Sequence, residues 1–322
     1  MSVKTFYITG ATGLIGSLLV KRLIDEDNVR VIAQIRNPEK AKSMLGEHDN
    51  LEFVIGDIRD EIRMPETVEK LDYIIHCAAI TTSKIMVEQP EMTLATATEG
   101  TKNVLELARK YQPESVVYVS SMEVYGQTVP SQNPITEEKM GTLDLNNPRS
   151  SYPQGKRLCE EMCREYFKKY DVPVKIARLA QTTGPGIPKS DNRVAMQFAR
   201  AAKNGDDIVL HTAGRSISNF CYTEDVINGI LTILNKGVNG EAYNVCNDAE
   251  SRSIADIAKL VAEKVATSYG NSIQVVFDIP KENIHGYAPD SVMRLNSDKL
   301  RALGWQATTD METAYKNLVD YL

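Results

Sequence analysis

A glycine-rich turn close to the N-terminus constrains the fold of this chain more than any other feature. Gly10, Gly13 and Gly16 lie between an apolar run over residues 3–9 and an amphipathic run over residues 17–23. This order predicts a strand, a tight turn and a helix, in which the first glycine permits the turn, the second admits a pyrophosphate and the third allows close helix packing. Because a helix N-terminus attracts anions, the turn indicates a site for NAD or NADP rather than a loop that merely needs glycines. The residues assigned to this site are Gly10, Thr12, Gly13, Leu14, Ile15 and Gly16.

Apolar and polar runs alternate beyond this turn as far as residue 180. The further predicted strands cover residues 29–35, 51–55, 73–76, 115–120 and 174–178. One helix is predicted to begin at Pro38, and a short polar helix is predicted between the third and fourth strands. Two longer helices are predicted over residues 99–111 and 152–170. Repeated βα units of this length predict an α/β fold with a Rossmann-type, doubly wound parallel sheet.

The alternation breaks near residue 181, where a loop containing Gly and Pro follows at residues 183–188. Beyond it we expect a helix over residues 191–204, a short segment at residues 208–211 and a strand over residues 241–245. The predicted domains are an NAD(P)-binding Rossmann domain over residues 1–180 with a return around residues 219–246, and a smaller α/β substrate-binding lobe over residues 181–218 and 247–322.

Composition excludes several classes of protein. The net charge of −6 argues against nucleic acid bound through a general phosphate-neutralising surface. No stretch approaches the roughly 20 apolar residues that span a bilayer, and no basic and apolar leader is visible, so we expect a cytoplasmic protein with no membrane partner. The scattered cysteines and histidines predict a reduced chain without a metal site. Cys159 and Cys163, one helical turn apart, are interpreted as helix residues rather than as a metal pair.

The end of the second predicted strand bears on the choice between NAD and NADP. A carboxylate at this point would hold the ribose hydroxyls of NAD, but the chain has Arg36, whose guanidinium can pair with the 2′-phosphate of NADP. NADP is therefore favoured, and a solvated surface role for Arg36 is the alternative. Asp57, at the end of the third strand, is assigned to the adenine amino group or, alternatively, to the cap of the next helix.

The strongest single signal is the pair Tyr152 and Lys156. Their four-residue spacing puts the phenol and the ammonium on one face of a helix that follows the strand ending at Ser120 and Ser121. We expect Lys156, together with the positive charge of a nicotinamide ring, to lower the pKa of Tyr152 so that the phenolate acts as a base. Ser121 then hydrogen-bonds the reacting hydroxyl. The alternative is a core tyrosine and a surface lysine.

Several segments together resemble the extended short-chain dehydrogenase/reductases, in the NAD-dependent epimerase/dehydratase family that acts on nucleotide sugars. The resemblance is carried by Gly10 to Gly16, Gly56-Asp57-Ile58, His76-Cys77-Ala78-Ala79, Ser120 to Gly126, Tyr152 with Lys156, Thr183-Gly184-Pro185 and Leu303-Gly304-Trp305. Residues 121–126 and 148–157 are most similar to the branch of UDP-glucuronate decarboxylases and nucleotide-sugar 4,6-dehydratases. The resemblance implies a transient hydride transfer that makes a 4-keto sugar. It also assigns further residues to the cofactor, which are Ile58, Cys77, Ala78, Ala79, Tyr152, Lys156 and Ala180.

Glu123 bears on the fate of such a ketone. A ketone at C4 acidifies the proton at C5, and Glu123 can remove that proton; the alternative is a structural residue at a strand end. In the dehydratases an acid usually occupies the position of Met122, so the resemblance does not supply a full acid and base pair for elimination. Decarboxylation needs no such pair, because a 4-keto uronic acid is a β-keto acid, and Arg149 can hold its carboxylate.

Three positions depart from the family pattern. Gln181 and Ala97 each stand where the family usually has Asn, and Ser218 stands where an arginine usually grips the diphosphate. Arg215 is the predicted substitute for that arginine. The residues assigned to the substrate are Ser121, Glu123, Arg149, Gln181, Arg193 and Arg215.

These observations predict an NAD(P)-dependent nucleotide-sugar epimerase, dehydratase or decarboxylase that oxidises its substrate transiently at C4, with Tyr152 as the base. The first alternative is an NADPH-dependent reductase of a keto sugar or phosphorylated ketose, favoured by Arg36 and by the missing diphosphate arginine. The second is a non-catalytic dinucleotide-binding protein. Similar proteins dimerise through the helices that correspond to residues 99–111 and 152–170, so a homodimer is expected, with ordinary core packing as the alternative for these helices.

Overall fold

The computed structural model describes residues 2–280 and 290–322, and the chain forms two compact units. Unit 1 consists of Met1–Gly126, Thr142–Leu179 and Ile227–Tyr243, and unit 2 consists of Gln127–Gly141, Ala180–Val226 and Asn244–Leu322. Residues 281–289 of the predicted substrate lobe lie outside the described residues. The assignment of the cofactor to one unit and the substrate to the other stays a prediction.

Strands and helices alternate through most of the chain. The strands are β1 (Lys4–Thr9), β2 (Val29–Ile35), β3 (Leu51–Ile55), β4 (Tyr73–His76), β5 (Ser115–Ser121), β6 (Val174–Leu179), β7 (Gln181–Thr183), β8 (Ile208–Leu210), β9 (Ile217–Tyr222), β10 (Ala242–Val245), β11 (Asn247–Ser253), β12 (Val275–Phe277) and β13 (Val292–Met293). The helices are α1 (Leu14–Ile24), α2 (Pro38–Leu45), α3 (Ser83–Glu88), α4 (Pro90–Tyr111), α5 (Ser151–Tyr170), α6 (Val194–Asn204), α7 (Thr223–Lys236), α8 (Ile254–Leu260), α9 (Asp298–Arg301) and α10 (Met311–Tyr321).

Seven strands form the central sheet, in the order β10-β6-β5-β4-β1-β2-β3. The neighbours from β6 to β3 pair in parallel. The chain moves outward from β1 to β3 and then returns to place β4, β5 and β6 on the other side of β1, which confirms the predicted doubly wound sheet. The direction of winding reverses between β1 and β4, and ligands of such sheets bind at the carboxyl ends of the strands at this reversal.

The sheet is buried because its strands are nearly continuous apolar runs. Tyr7, Ile32, Ile74 and Ile176, one from each of four strands, have no exposed surface. Helices α4 and α5 pack against this core, with Cys159 completely buried among these residues. Burial of this kind is the main favourable contribution to folding.

Three helix predictions differ from the structure. The helix predicted over residues 99–111 begins earlier, at Pro90. The short polar helix expected between the third and fourth strands is wrong, because residues 56–72 form only turns and bends. Asp57 therefore caps no helix and instead accepts a hydrogen bond from the backbone N–H of Arg59, at 3.0 Å. The helix predicted at residues 191–204 begins at Val194, because the carboxylate of Asp191 accepts from the backbone N–H of Arg193 and holds that residue in an extended conformation.

Unit 2 is built around β9. This strand pairs in parallel with β7 and β13 and antiparallel with β11, and a separate parallel pair joins β8 to β12. Trp305 anchors the C-terminal segment, since its Nε1 donates to the carbonyl of Asp225 at 3.0 Å. None of the helices in the described ranges combines the length and the apolar character of a membrane span.

Candidate active site

The glycine turn packs tightly between β1 and α1. Gly10 has φ +65°, and a Cβ at this position would lie 2.8 Å from the backbone nitrogen of Ala78. A Cβ at Gly16 would collide with the carbonyl oxygen of Gly10. Gly13, by contrast, is exposed and begins α1 without a side-chain cap. The N–H of Gly13 donates to the carbonyl of Gly10 at 2.9 Å, and the N–H groups of the first turn of α1 follow this accessible glycine, an arrangement that fits the pyrophosphate of a dinucleotide.

The other residues assigned to the cofactor in this region surround the same turn. Thr12, Leu14 and Ile15 are half-buried within it. Cys77, Ala78 and Ala79 are half-buried directly after β4, which pairs with β1. A hydrogen bond of 3.1 Å from the N–H of Ala78 to the hydroxyl of Thr9 joins the two strand ends. The structure thus brings these residues together at the reversal of the sheet.

Arg36 and Asp57 follow the neighbouring strands β2 and β3. The Arg36 side chain is 78% exposed, and its Nη1 lies 4.0 Å from Oδ2 of Asp57. Asp57 accepts from Nε of Arg59 at 2.9 Å, and this hydrogen bond lowers the pKa of Asp57 to about 2. Ile58 is buried and packs on Gly100, where a Cβ would lie 2.9 Å from its Cγ2. Arg36 is therefore accessible to an anion, and Asp57 is ionised at neutral pH.

The three predicted catalytic groups meet at the end of β5. Ser121 is the last residue of that strand, and its hydroxyl lies near enough to Tyr152, in the first turn of α5, to oppose the rise in the pKa of that phenol. Nζ of Lys156 lies 5.9 Å from the centroid of the Tyr152 ring and donates to the carbonyl of Val119 at 2.6 Å. Lys156 is thus attached to the strand that ends in Ser121.

The chain by itself does not lower the pKa of Tyr152. Burial and the negative charge of Glu123 raise this pKa to about 12, against the opposing effects of Ser121 and Arg149. The prediction of a lowered pKa included the positive charge of a nicotinamide ring, which the polypeptide does not supply. A phenolate at neutral pH therefore requires that additional charge.

Glu123 and Arg149 form a bidentate ion pair beside Tyr152. Nη1 of Arg149 lies 2.6 Å from Oε2 of Glu123, and Nη2 lies 2.8 Å from Oε1. The pair raises the pKa of Arg149. Both residues were assigned to the substrate, and in this structure they bind each other. Glu123 is held in the 3₁₀ turn Met122–Tyr125, whose first side chain, that of Met122, is buried.

Sequence reasoning missed a buried network behind these residues. The carboxylate of Glu160 accepts from Ser120 Oγ at 2.7 Å and from Nε and Nη2 of Arg178 at 2.9 and 2.7 Å. Nη1 of Arg178 lies 3.0 Å from the hydroxyl of Tyr125. Burial opposes ionisation of Glu160, but the Arg178 guanidinium outweighs it and lowers the pKa of Glu160. An arginine within the apolar strand β6 and a glutamate four residues after Lys156 were the available signals.

A second buried network lies under the turn. Nδ1 of His76 lies 2.6 Å from the hydroxyl of Thr9, and Nε2 lies 3.1 Å from that of Thr101. Burial, with a smaller effect of the Lys156 charge, lowers the pKa of His76 to about 3. His76 is therefore neutral at physiological pH.

The remaining assigned residues lie in unit 2. Ala180 is buried, and its N–H donates to the carbonyl of Val245 at 3.0 Å. Gln181 is exposed at the start of β7. Nη2 of Arg193 lies 2.8 Å from Oδ2 of Asp191, and Arg215 is exposed in the segment before β9.

Sequence comparison places these features among known proteins. The model of the NAD dependent epimerase/dehydratase family matches residues 6–246. UDP-glucuronic acid decarboxylase 1 of Xenopus tropicalis is 29% identical over 324 residues, which is 99% of this chain and 72% of that protein. dTDP-D-glucose 4,6-dehydratase of Mus musculus is 26% identical over 331 residues, which is 99% of this chain and 88% of that protein.

Solved structures share the fold. UDP-glucose 4-epimerase of Thermotoga maritima, in complex with UDP-glucose, superposes with a TM-score of 0.80 at 22% identity, covering 98% of each chain. RMD of Pseudomonas aeruginosa, complexed with NADPH, has a TM-score of 0.76 at 22% identity, covering 99% of this chain and 97% of that one.

Proposed function

The chain belongs to the NAD-dependent epimerase/dehydratase family, and from this membership we propose that it oxidises a nucleotide-activated sugar transiently at C4. The observation that carries the proposal is the meeting of Ser121, the last residue of β5, with Tyr152 in the first turn of α5, whose ring lies 5.9 Å from Nζ of the buried Lys156. NAD or NADP, when bound, accepts a hydride from C4 and can return it. The accessible glycine turn of unit 1 supports its binding.

Tyr152 removes the proton of the C4 hydroxyl in this proposal, and Ser121 hydrogen-bonds the same oxygen. Lys156 contributes a positive charge within 5.9 Å of the Tyr152 ring. The Glu123 carboxylate, fixed by Arg149, lies beside the phenol and is placed to exchange a proton at C5. These groups supply the proton transfers at the C4 hydroxyl and at C5.

Decarboxylation of a nucleotide-linked uronic acid is the outcome that we propose after oxidation. Dehydration requires an acid at the position of Met122, and this side chain is buried and cannot ionise. Once C4 is a ketone, the bond between C5 and the carboxylate breaks, CO2 leaves, and C5 takes a proton. Relatives named as UDP-glucuronic acid decarboxylases support this choice.

Incubation of the purified protein with UDP-, CDP-, dTDP- and GDP-linked sugars and uronic acids in D2O tests the proposal. We expect one uronic acid to lose CO2 and gain deuterium at C5, without net change in reduced-cofactor absorbance. Tyr152→Phe should abolish turnover, whereas Tyr170→Phe, on the same helix, should retain it. Absence of turnover across the panel would refute the proposed function.

A second candidate is an NADPH-dependent reductase of a keto sugar or phosphorylated ketose. The observation that favours it is Arg36, which is exposed at the position where a carboxylate would hold NAD. RMD, the fold neighbour complexed with NADPH, is in line with such a cofactor. This candidate predicts stoichiometric loss of NADPH absorbance, and conversion without cofactor consumption would contradict it.

The remaining predictions stay proposals. Unit 1 binds the cofactor, and Gln181, Arg193 and Arg215 of unit 2 contact the substrate. The protein acts as a homodimer in the cytoplasm.

A further inference from the structure

Among the residues that the structure describes, the buried ammonium of Lys156 has no counter-ion. The residue is 4% exposed, and within the described part of the chain its Nζ donates one hydrogen bond, to the carbonyl of Val119. Within residues 2–280 and 290–322, Lys156 forms no ion pair at 4.0 Å or less. A lysine ammonium carries three donor hydrogens, and transferring an ion from water to a protein interior is costly unless other groups compensate. Another favourable contact is therefore expected at this site.

The face of an aromatic ring provides that contact. Nζ of Lys156 lies 4.6 Å from the ring centroid of Tyr118, nearer than to the ring of Tyr152 at 5.9 Å. Tyr118 is 2% exposed, and its hydroxyl has no hydrogen-bond partner among the described residues. A tyrosine whose hydroxyl is unused contributes through its ring, and the negative face of a ring attracts a cation most strongly when both are desolvated.

The other ionisable groups around Lys156 do not replace the ring. His76, whose ring lies 5.6 Å from that of Tyr118, is neutral. On α5 the carboxylate of Glu160 is engaged by Arg178. Burial raises the pKa of Tyr152 to about 12, so its phenol carries no negative charge. The remaining neighbours include the thiols of Cys77 and Cys163, whose pKa burial raises, so neither carries a negative charge. The charge of Glu160 also raises the pKa of Lys156, without a direct ion pair between the two.

We infer that Tyr118 is a positioning residue for Lys156: the face of its ring holds the buried ammonium protonated and fixed beside Tyr152. The inference rests on the proposed function only for the catalytic importance of Lys156. The contact itself belongs to β5 and α5 and needs neither substrate nor cofactor. Its consequence is that the ring character at position 118, and not the hydroxyl, determines the pH at which Lys156 loses its proton.

Titration of Lys156 in the cofactor-free protein tests this inference. Lysines are labelled with ¹³C at Cε, the signal of Lys156 is identified by its loss in Lys156→Arg, and its chemical shift is followed against pH. Tyr118→Leu should lower the titration midpoint by about one pH unit. Tyr118→Phe keeps the ring and should retain the wild-type midpoint. Equal midpoints for the Leu and Phe variants would overturn the inference.

A second substitution keeps the test valid if Tyr118→Leu fails to fold. Pentafluorophenylalanine at position 118 preserves the shape of the ring but removes its negative face, so it should lower the midpoint as Leu does. An unchanged midpoint would overturn the inference. NADPH affinity provides a further readout, because binding should weaken as pH rises and Lys156 loses its charge. The pH at which half of the binding is lost should fall for Tyr118→Leu and for pentafluorophenylalanine, and should stay unchanged for Tyr118→Phe. If the wild-type protein converts no sugar while the Lys156 titration midpoints follow the expected order, the proposed function is wrong and the inference about Tyr118 stands.

Discussion

Replacing Glu160 by glutamine tests the buried ion pair behind the candidate active site. Glu160 and Arg178 are each 1% exposed, and the guanidinium binds both carboxylate oxygens. Glu160→Gln leaves this guanidinium buried without its counter-ion, and removal of one partner from a buried pair costs about 3–5 kcal/mol. We expect a decrease of that size in the free energy of unfolding, measured by urea denaturation at pH 7 with circular dichroism.

The next residue on α5 supplies a matched control. The Glu161 side chain is 59% exposed and lies 3.7 Å from Arg164, so Glu161→Gln should change the free energy of unfolding by about 0–1 kcal/mol. Replacing both buried partners, with Glu160→Met and Arg178→Leu, removes the isolated charge and should recover most of the loss. The reasoning fails if Glu160→Gln costs no more than Glu161→Gln, or if the double variant is less stable than Glu160→Gln.

Three further predictions follow from single side chains. The pKa of His76 is about 3 when folded, below its usual value near 6.5, so the unfolded chain binds the extra proton and stability is lost as pH falls from about 6.5 toward 3. His76→Gln should reduce this loss by up to about 1.4 kcal/mol per pH unit, measured by urea unfolding at pH 7 and pH 5; an unchanged slope would contradict it. Arg36→Ala should weaken NADPH binding about 10- to 100-fold and NADH binding little, because a charged hydrogen bond contributes about 1.5–3 kcal/mol. Equal losses in fluorescence titrations would exclude a 2′-phosphate contact. Leu158, 51% exposed on α5, should lie in a dimer interface, so Leu158→Glu should yield monomers in sedimentation, and persistence of the dimer would place the interface elsewhere.

The central sheet was predictable because its strands are short apolar runs bounded by polar residues. The bounds of β2, β3 and β4 agree with the sequence patterns at both ends. The helix predicted within residues 56–72 was wrong, since a polar segment with turn-forming side chains has no periodicity that separates a helix from bends. Asp57 shows the difference, because it closes a local turn on Arg59 instead of capping a helix.

The residues of the candidate site were found more readily than their pairings. Tyr152, Lys156 and Ser121 could be assigned because their spacing and their position after a strand both have chemical meaning. The pairing of Glu123 with Arg149 could not be predicted, since each residue taken alone is equally suited to a substrate carboxylate or proton. Pairings of this kind depend on which side chains the folded backbone brings together, and pattern reasoning does not contain that information.

The position of β10 in the sheet has a consequence during synthesis of the protein. This strand covers the outer edge of β6, although the chain passes through β7, α6 and α7 before it reaches Ala242–Val245. Until the ribosome has made those residues, the N-terminal part of the sheet presents β6 as an unpaired edge with a row of free backbone groups, which is a template for association with other chains. A nascent chain stalled before Ala242 should therefore depend on chaperones to stay monomeric, whereas one stalled well past Val245 can close its own sheet.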